Sequence, residues 1–168
     1  MESLHAPWRM EYIRSLEKNR DNAPCFLCQA AEADEANYRR LHIFWKTDLT
    51  IVLLNLFPYT NGHLLIAPKA HEPEIENLST EQAADLQVQT IQAVQLLKRA
   101  LSPQGFNIGI NLGRCAGAGL PGHIHQHIVP RWAGDTNFIS IVGEVRVVPE
   151  AIEKVYDQLV AVRKTMTS

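Results

Sequence analysis

The run GHIHQHIVPRW, Gly122 to Trp132, sets three of the chain's seven histidines at alternate positions: His123, His125 and His127. In an extended segment successive side chains point to opposite faces, so the three imidazoles share one side while Ile124, Gln126 and Ile128 take the other. That pattern predicts one histidine surface with one task. Imidazoles packed together make each other costly to protonate, which keeps them neutral and suits them to metal binding or to nucleophilic attack near neutral pH. Two kinds of site follow. One is a metal-dependent phosphohydrolase site in which all three histidines hold a metal that activates water. The other is a nucleophilic histidine with histidine helpers.

Immediately upstream, GRCAGAGLPG carries Gly113, Gly117, Gly119 and Gly122. Glycines let backbone N–H groups converge on an anion without side-chain obstruction, so this loop reads as a phosphate cradle beside the histidines. It is not a Walker A loop, because no Gly-Lys-Ser/Thr follows, nor a dinucleotide fingerprint, because a strand rather than a helix comes next. Arg114 and Arg131 flank the region and could make bidentate phosphate contacts. Cys115 is expected to fill space as a small residue. A separate Cys25-x-x-Cys28 pair has no strand before it, which argues against a thioredoxin-like redox role; as a metal knuckle it needs two more ligands.

The elements that must position these residues are legible in outline. Pro7 to about Asn19 reads as a short helix, NAPCFLCQ as a loop or knuckle, and Leu41–Lys46 with Leu49–Leu56 as a hairpin. PYTNG turns into a third strand, Gly62–Ala67. Ser79 and Gln82 form a capping-box pattern opening an amphipathic helix to about Ala100. Phe106, Ile108, Ile110 and Leu112 alternate with Asn107, Gly109 and Asn111, predicting a strand with one buried face. Phe138–Val142 and Val145–Val148 suggest a further pair, and Pro149 opens a last amphipathic helix. Tight hairpin signals without regular strand–helix alternation predict an α+β domain on an antiparallel sheet.

At 168 residues and 46% hydrophobic, the chain can bury a core as a single domain over 1–168, with residues 1–40 and 149–165 as extensions. A net charge of -2 supplies no basic field of the kind that draws proteins to nucleic acid or anionic membranes, so neither is an expected partner. The start MESLHAPWRMEYIRSLEKNR is charged throughout, which predicts neither signal peptide nor membrane anchor and a cytoplasmic location. Three cysteines are too few and odd in number for a disulfide framework.

GHIHQHIVP resembles the His-x-His-x-His-x-x signature of the histidine-triad family, and NLFPYTNGHLLIAPKAH resembles that family's upstream strand–turn–strand segment. The tail PRWAGDTNF and the start APWRMEYI resemble the branch of diadenosine tetraphosphate phosphorylases and hydrolases. Gln126 departs from the pattern, since the family usually places an apolar residue there; the expected consequence is in packing rather than catalysis. The resemblance implies about five antiparallel strands with a long helix and terminal helices, and a homodimer whose sheets join across the subunit boundary. It makes His125 the nucleophile on the α-phosphorus of a dinucleoside polyphosphate such as diadenosine tetraphosphate, through a nucleotidyl-histidine resolved by phosphate or water. His123, His127 and His63 become its companions, Asn55 the ribose contact, and Asn111, Gly117, Gly119, Gly122 and Arg131 the surroundings of the phosphates. It also implies a structural zinc on Cys25, Cys28, His71 and His123, with no organic cofactor. Related alternatives are hydrolysis of nucleoside phosphoramidates or adenylyl conjugates, and nucleotide binding without turnover.

Overall fold

A computed structural model describes residues 24–135 and 150–166; the helix expected near residues 7–19 and the strands expected at 138–148 lie outside them. Five antiparallel strands, β1 (Ile43–Lys46), β2 (Thr50–Leu54), β3 (Leu64–Pro68), β4 (Gly105–Ile110) and β5 (Gln126–Arg131), form one sheet in the order β1-β2-β3-β5-β4. Among the described residues three α-helices accompany it: α1 (Phe26–Glu32), the long α2 (Thr80–Leu101) and α3 (Ile152–Met166). The expected α+β class and antiparallel sheet are what the chain adopts.

Every residue of β2 and β3 is buried, because both faces of these central strands are covered. Val52, Leu54, Leu64, Ile66 and Ile128 pack against Leu86, Ala93, Leu96 and Leu97 of α2 and Val155, Tyr156 and Leu159 of α3. On the opposite face Ile51, Leu53, Leu65 and Ala67 meet Leu27, Ala30 and Ala31 of α1. Strands covered on both sides read as continuous apolar runs, and TIVLL and LLIAP do. The α2 start is the expected capping box: Ser79 Oγ accepts from the Gln82 N–H and Gln82 Oε1 accepts from the Ser79 N–H.

Four expectations need correction. NAPCFLCQ is not a plain loop: Cys25 caps α1 and Cys28 lies within its first turn, while the Lys46 ammonium caps the far end on the Ala31 and Ala33 carbonyls. The strand at Phe106–Leu112 starts one residue earlier and ends at Ile110, and its apolar side is not fully buried. Ile108 is 47% and Leu112 39% exposed, because β4 is a sheet edge that α2 reaches only in part. The histidine strand begins at Gln126 rather than His123, since the Ile124 N–H leaves the ladder and donates to the Glu72 carbonyl at 2.7 Å. Cys115 fills no space; it is exposed on the glycine loop. Among the described residues no helix is long and apolar enough to cross a membrane.

Gln126 points to the α2 face, where its amide donates to Thr90 Oγ1 at 2.7 Å and Thr90 donates in turn to the Leu86 carbonyl. The polar residue at an otherwise apolar position is thus satisfied by a polar residue on the helix it packs against.

Candidate functional site

The site grows from the β3–β5 pairing. Leu65 stands opposite His127 in register, so His127 lies on the face that α1 covers in part. His63 is brought to it by the turn before β3, which needs Gly62: at φ +73 a side chain is strained, and a Cβ there would run into Leu101 Cδ1 and lie 3.1 Å from Leu97 Cδ2. His63 and His123 are fully buried, and His125 nearly so.

Backbone groups settle which nitrogen of each ring carries a proton. A carbonyl only accepts, so His125 Nδ1, 2.8 Å from the His123 carbonyl, must donate to it and its Nε2 holds the free lone pair. The Tyr59 N–H donates to His63 Nδ1 at 3.1 Å, and Asn55 Nδ2 approaches the same atom at 3.3 Å, so His63 carries its proton on Nε2. That proton is donated to His127 Nδ1 at 2.9 Å, leaving the His127 proton on Nε2. His127 Nε2 is buried with no partner among the described residues. One neighbouring ring therefore offers a lone pair and the next an N–H, their centroids 5.0 Å apart. Burial lowers the pKa of His125 despite its bond to the His123 carbonyl, and burial with the nearby His125 ring brings that of His127 down to about 4. Both rings are neutral at pH 7.

His123 does not join them. Its Nε2 donates to the Pro68 carbonyl at 2.8 Å, which turns Nδ1 toward Cys25 Sγ at 3.3 Å and Cys28 Sγ at 3.6 Å; His71 Nδ1 lies 3.1 Å from Cys28 Sγ. The expectation of one histidine surface with one task is corrected: a face is shared, but the rings serve two clusters. The ligand atoms of Cys25, Cys28, His71 and His123 fall within 4.8 Å of one another, and among the described residues no other group of three or more such side chains does so. The set of His123, His125 and His127 proposed for a catalytic metal is thus not assembled.

The donor set fits zinc. Tetrahedral bonds of about 2.3 Å to sulfur and about 2.05 Å to nitrogen place neighbouring S and N atoms about 3.6 Å apart; Cys28 lies 3.1 Å from His71 and 3.6 Å from His123, and Cys25 3.3 Å from His123, with all four ligand atoms within 4.8 Å of one another. The His123 to Pro68 hydrogen bond is the kind of outer contact that orients a metal-binding imidazole. Burial, with the adjacent Cys25 thiol, pushes the Cys28 thiol up to about 11, as for crowded sulfurs facing no cation; a bound divalent ion reverses that order.

Other expected residues lie differently. Asn55 spends one amide hydrogen on His63 Nδ1 and its oxygen on the Phe57 N–H. Asn111 follows β4 at the start of the glycine loop, and Gly122 sits beside His71. The Gly117 N–H is not an open phosphate donor, because it closes the loop's own turn on the Arg114 carbonyl at 3.0 Å. Arg131 is not brought to the histidines. It stands four residues along β5 from His127, about 13 Å, with its guanidinium on Asp135 (2.6 and 2.7 Å) and Asn107 (2.6 Å). Tyr59 was read only as part of a turn; its ring lies 18° from parallel with His127 and 4.6 Å from His63. An aromatic residue four positions before a histidine was the only available signal.

The chain is similar to known proteins. Residues 39–134 match the HIT domain family model. The AP-4-A phosphorylase of Mycobacterium tuberculosis is 36% identical over 154 residues, 90% of this chain and 79% of that protein. The asymmetrical bis(5'-nucleosyl)-tetraphosphatase of Schizosaccharomyces pombe is 33% identical over 93 residues, 55% of this chain and 50% of that protein. The crystal structure of a zinc-bound histidine triad family protein from Mycobacterium smegmatis shares the fold, with a TM-score of 0.64 at 24% identity over 85% of this chain and 95% of that one.

Proposed function

Because this chain belongs to the histidine-triad (HIT) family, we propose that it cleaves dinucleoside polyphosphates, diadenosine tetraphosphate foremost, at the α-phosphorus through a covalent nucleotidyl-His125. One observation carries the reading: His125 Nδ1–H is held by the His123 carbonyl, so the free Nε2 lone pair stands beside the unpartnered Nε2–H of His127. A phosphoryl group between these rings meets a nucleophile and a donor together. The His125 Nε2–P bond forms as the bond from phosphorus to the departing polyphosphate oxygen breaks. The His127 N–H donates to a phosphoryl oxygen as charge builds on it, a contribution of about 3–4 kcal/mol for a well-placed donor. Phosphate or water then attacks phosphorus and releases His125 with Nε2 bare again.

The remaining amide hydrogen and oxygen lone pair of Asn55 are what it offers a ribose. Gly119 and Gly122 remain the backbone donors of the loop for phosphate. Cys25, Cys28, His71 and His123 hold a structural zinc, which ties α1 to the segment bearing the nucleophile. The β4 edge, with the exposed Ile108 and with Val88 and Ile91 of α2, is the surface on which a homodimer extends the sheet. The 36% identity to an AP-4-A phosphorylase supports this substrate class.

The test is to incubate the protein with diadenosine tetraphosphate, with and without inorganic phosphate, and weigh the products. ADP plus ATP only with phosphate identifies a phosphorylase, and AMP plus ATP without it a hydrolase of the same mechanism. Two ADP in the absence of phosphate would overturn attack at the α-phosphorus.

A further inference from the structure

The stretch that carries the nucleophile is not held by the sheet. Its ladder begins at Gln126, so His123, Ile124 and His125 lack cross-strand partners in β3 or β4. Besides a local turn bond from the His123 N–H to the Leu120 carbonyl at 3.4 Å, three long-range attachments fix them. His123 Nε2 donates to the Pro68 carbonyl, the Ile124 N–H donates to the Glu72 carbonyl, and His123 Nδ1 faces the two cysteines. All three run to residues 68–72 or to α1, and His71 of the same 68–72 segment is the fourth member of the cysteine cluster. The His123 carbonyl, whose position these attachments decide, is what holds His125 Nδ1–H at 2.8 Å.

We propose that the Cys25–Cys28–His71–His123 cluster, loaded with zinc, sets the tautomer of His125 through the main chain of His123, making His71 and His123 positioning residues for a nucleophile neither touches as a ligand. With the cluster loaded, both ends of the 68–72 and 123–125 pairing are clamped, and the carbonyl stays aimed at Nδ1. With it empty, the pairing rests on two hydrogen bonds outside the ladder. His125 then exchanges its proton between ring nitrogens, and in the wrong tautomer Nε2 carries a hydrogen and cannot attack. Reversible metal loss would thereby switch nucleotidyl transfer through the His125 ring although no metal ligand meets substrate. The consequence for turnover rests on His125 being the nucleophile; the tautomer itself does not.

Ring-nitrogen NMR of 15N-histidine-labelled protein tests this, comparing zinc-loaded, chelator-stripped and zinc-restored samples. The expected result is a single Nδ1–H form of His125 with zinc, a mixture without it, and recovery on adding zinc back. His71→Ala, on the exposed loop, should show the mixture even with zinc present, with kcat on diadenosine tetraphosphate down about tenfold or more and KM within about twofold. Identical His125 signals in loaded and stripped protein would overturn the coupling. If stripping unfolds the chain, His71→Ala decides alone, and an unchanged His125 tautomer there overturns it equally. A tautomer that follows zinc in a protein that never turns over the dinucleotide would refute the substrate reading while leaving the coupling standing.

Discussion

Two histidine clusters sit side by side on one face of the sheet and share a five-residue stretch, yet they offer opposite chemistry. In the cysteine cluster His123 gives its Nε2–H to a carbonyl and turns Nδ1 toward sulfur; in the other, His125 gives its Nδ1–H to a carbonyl and leaves Nε2 open. The first arrangement closes around a point, with four donors within 4.8 Å. The second ends on the His125 lone pair and a buried His127 N–H that has no partner among the described residues. Identical side chains two residues apart are thus assigned to structure or to reaction by which ring nitrogen the backbone claims.

If this division holds, His125→Asn should lower kcat on the order of 10⁴-fold or more while zinc content and melting temperature stay at parental values. Zinc lost along with activity would break the division. His123→Ala should instead release zinc and lower stability, slowing turnover only as far as the His125 tautomer is disturbed. Zinc at a thousandfold excess over its Kd contributes about 4 kcal/mol, or about 8–16 °C in Tm for a chain of this size; a scan showing no such shift would mean the cluster carries no metal that matters to folding.

Acid should act next. His127 titrates near 4 in the folded chain against an ordinary value of 6.5, so the unfolded chain binds more protons between these values. Stability present above pH 6.5 is then lost as pH falls toward 4. Urea titrations across that window should show the slope, and it should flatten in His127→Gln. The acid limb of kcat/KM should fall well below 6.5, and a limb at 6.5 would show rings more open to water than the structure has them. The smallest effect is expected on the other face of the sheet. Thr90→Val leaves the Gln126 amide without its acceptor and costs about 1–3 kcal/mol, read by denaturation, with kcat changed less than about twofold. A larger kinetic loss would mean that α2 also positions the histidines.

Much of this was legible before any coordinates. Leu49–Leu56 and Gly62–Ala67 read as strands, Ser79 with Gln82 marked the start of α2, and the alternation of histidines put them on one face. Propensity and periodicity are local, and in these segments the tertiary packing agrees with them. The misses share a cause. Alternation across residues 123–127 read as continuous strand because Ile124 leaves the ladder for a carbonyl 52 positions earlier, which no local pattern records. Arg131 read as a phosphate ligand because its Asp135 and Asn107 partners depend on how β4 and β5 register. Gly117 read as an open amide because the loop's own turn was invisible.

What the sequence by itself determined is the inventory and its periodicity: which side chains are present, which face they share, and where helices begin. What only the tertiary structure decided is the orientation of each imidazole. An imidazole's two nitrogens are chemically alike until a fixed donor or acceptor claims one, and here those claims come from the Pro68 carbonyl, the His123 carbonyl and the Tyr59 N–H. The Pro68 carbonyl reaches its ring from 55 positions earlier and meets it only once the chain has folded; the other two lie within four residues of their rings, but it is the folded backbone that aims them at one nitrogen.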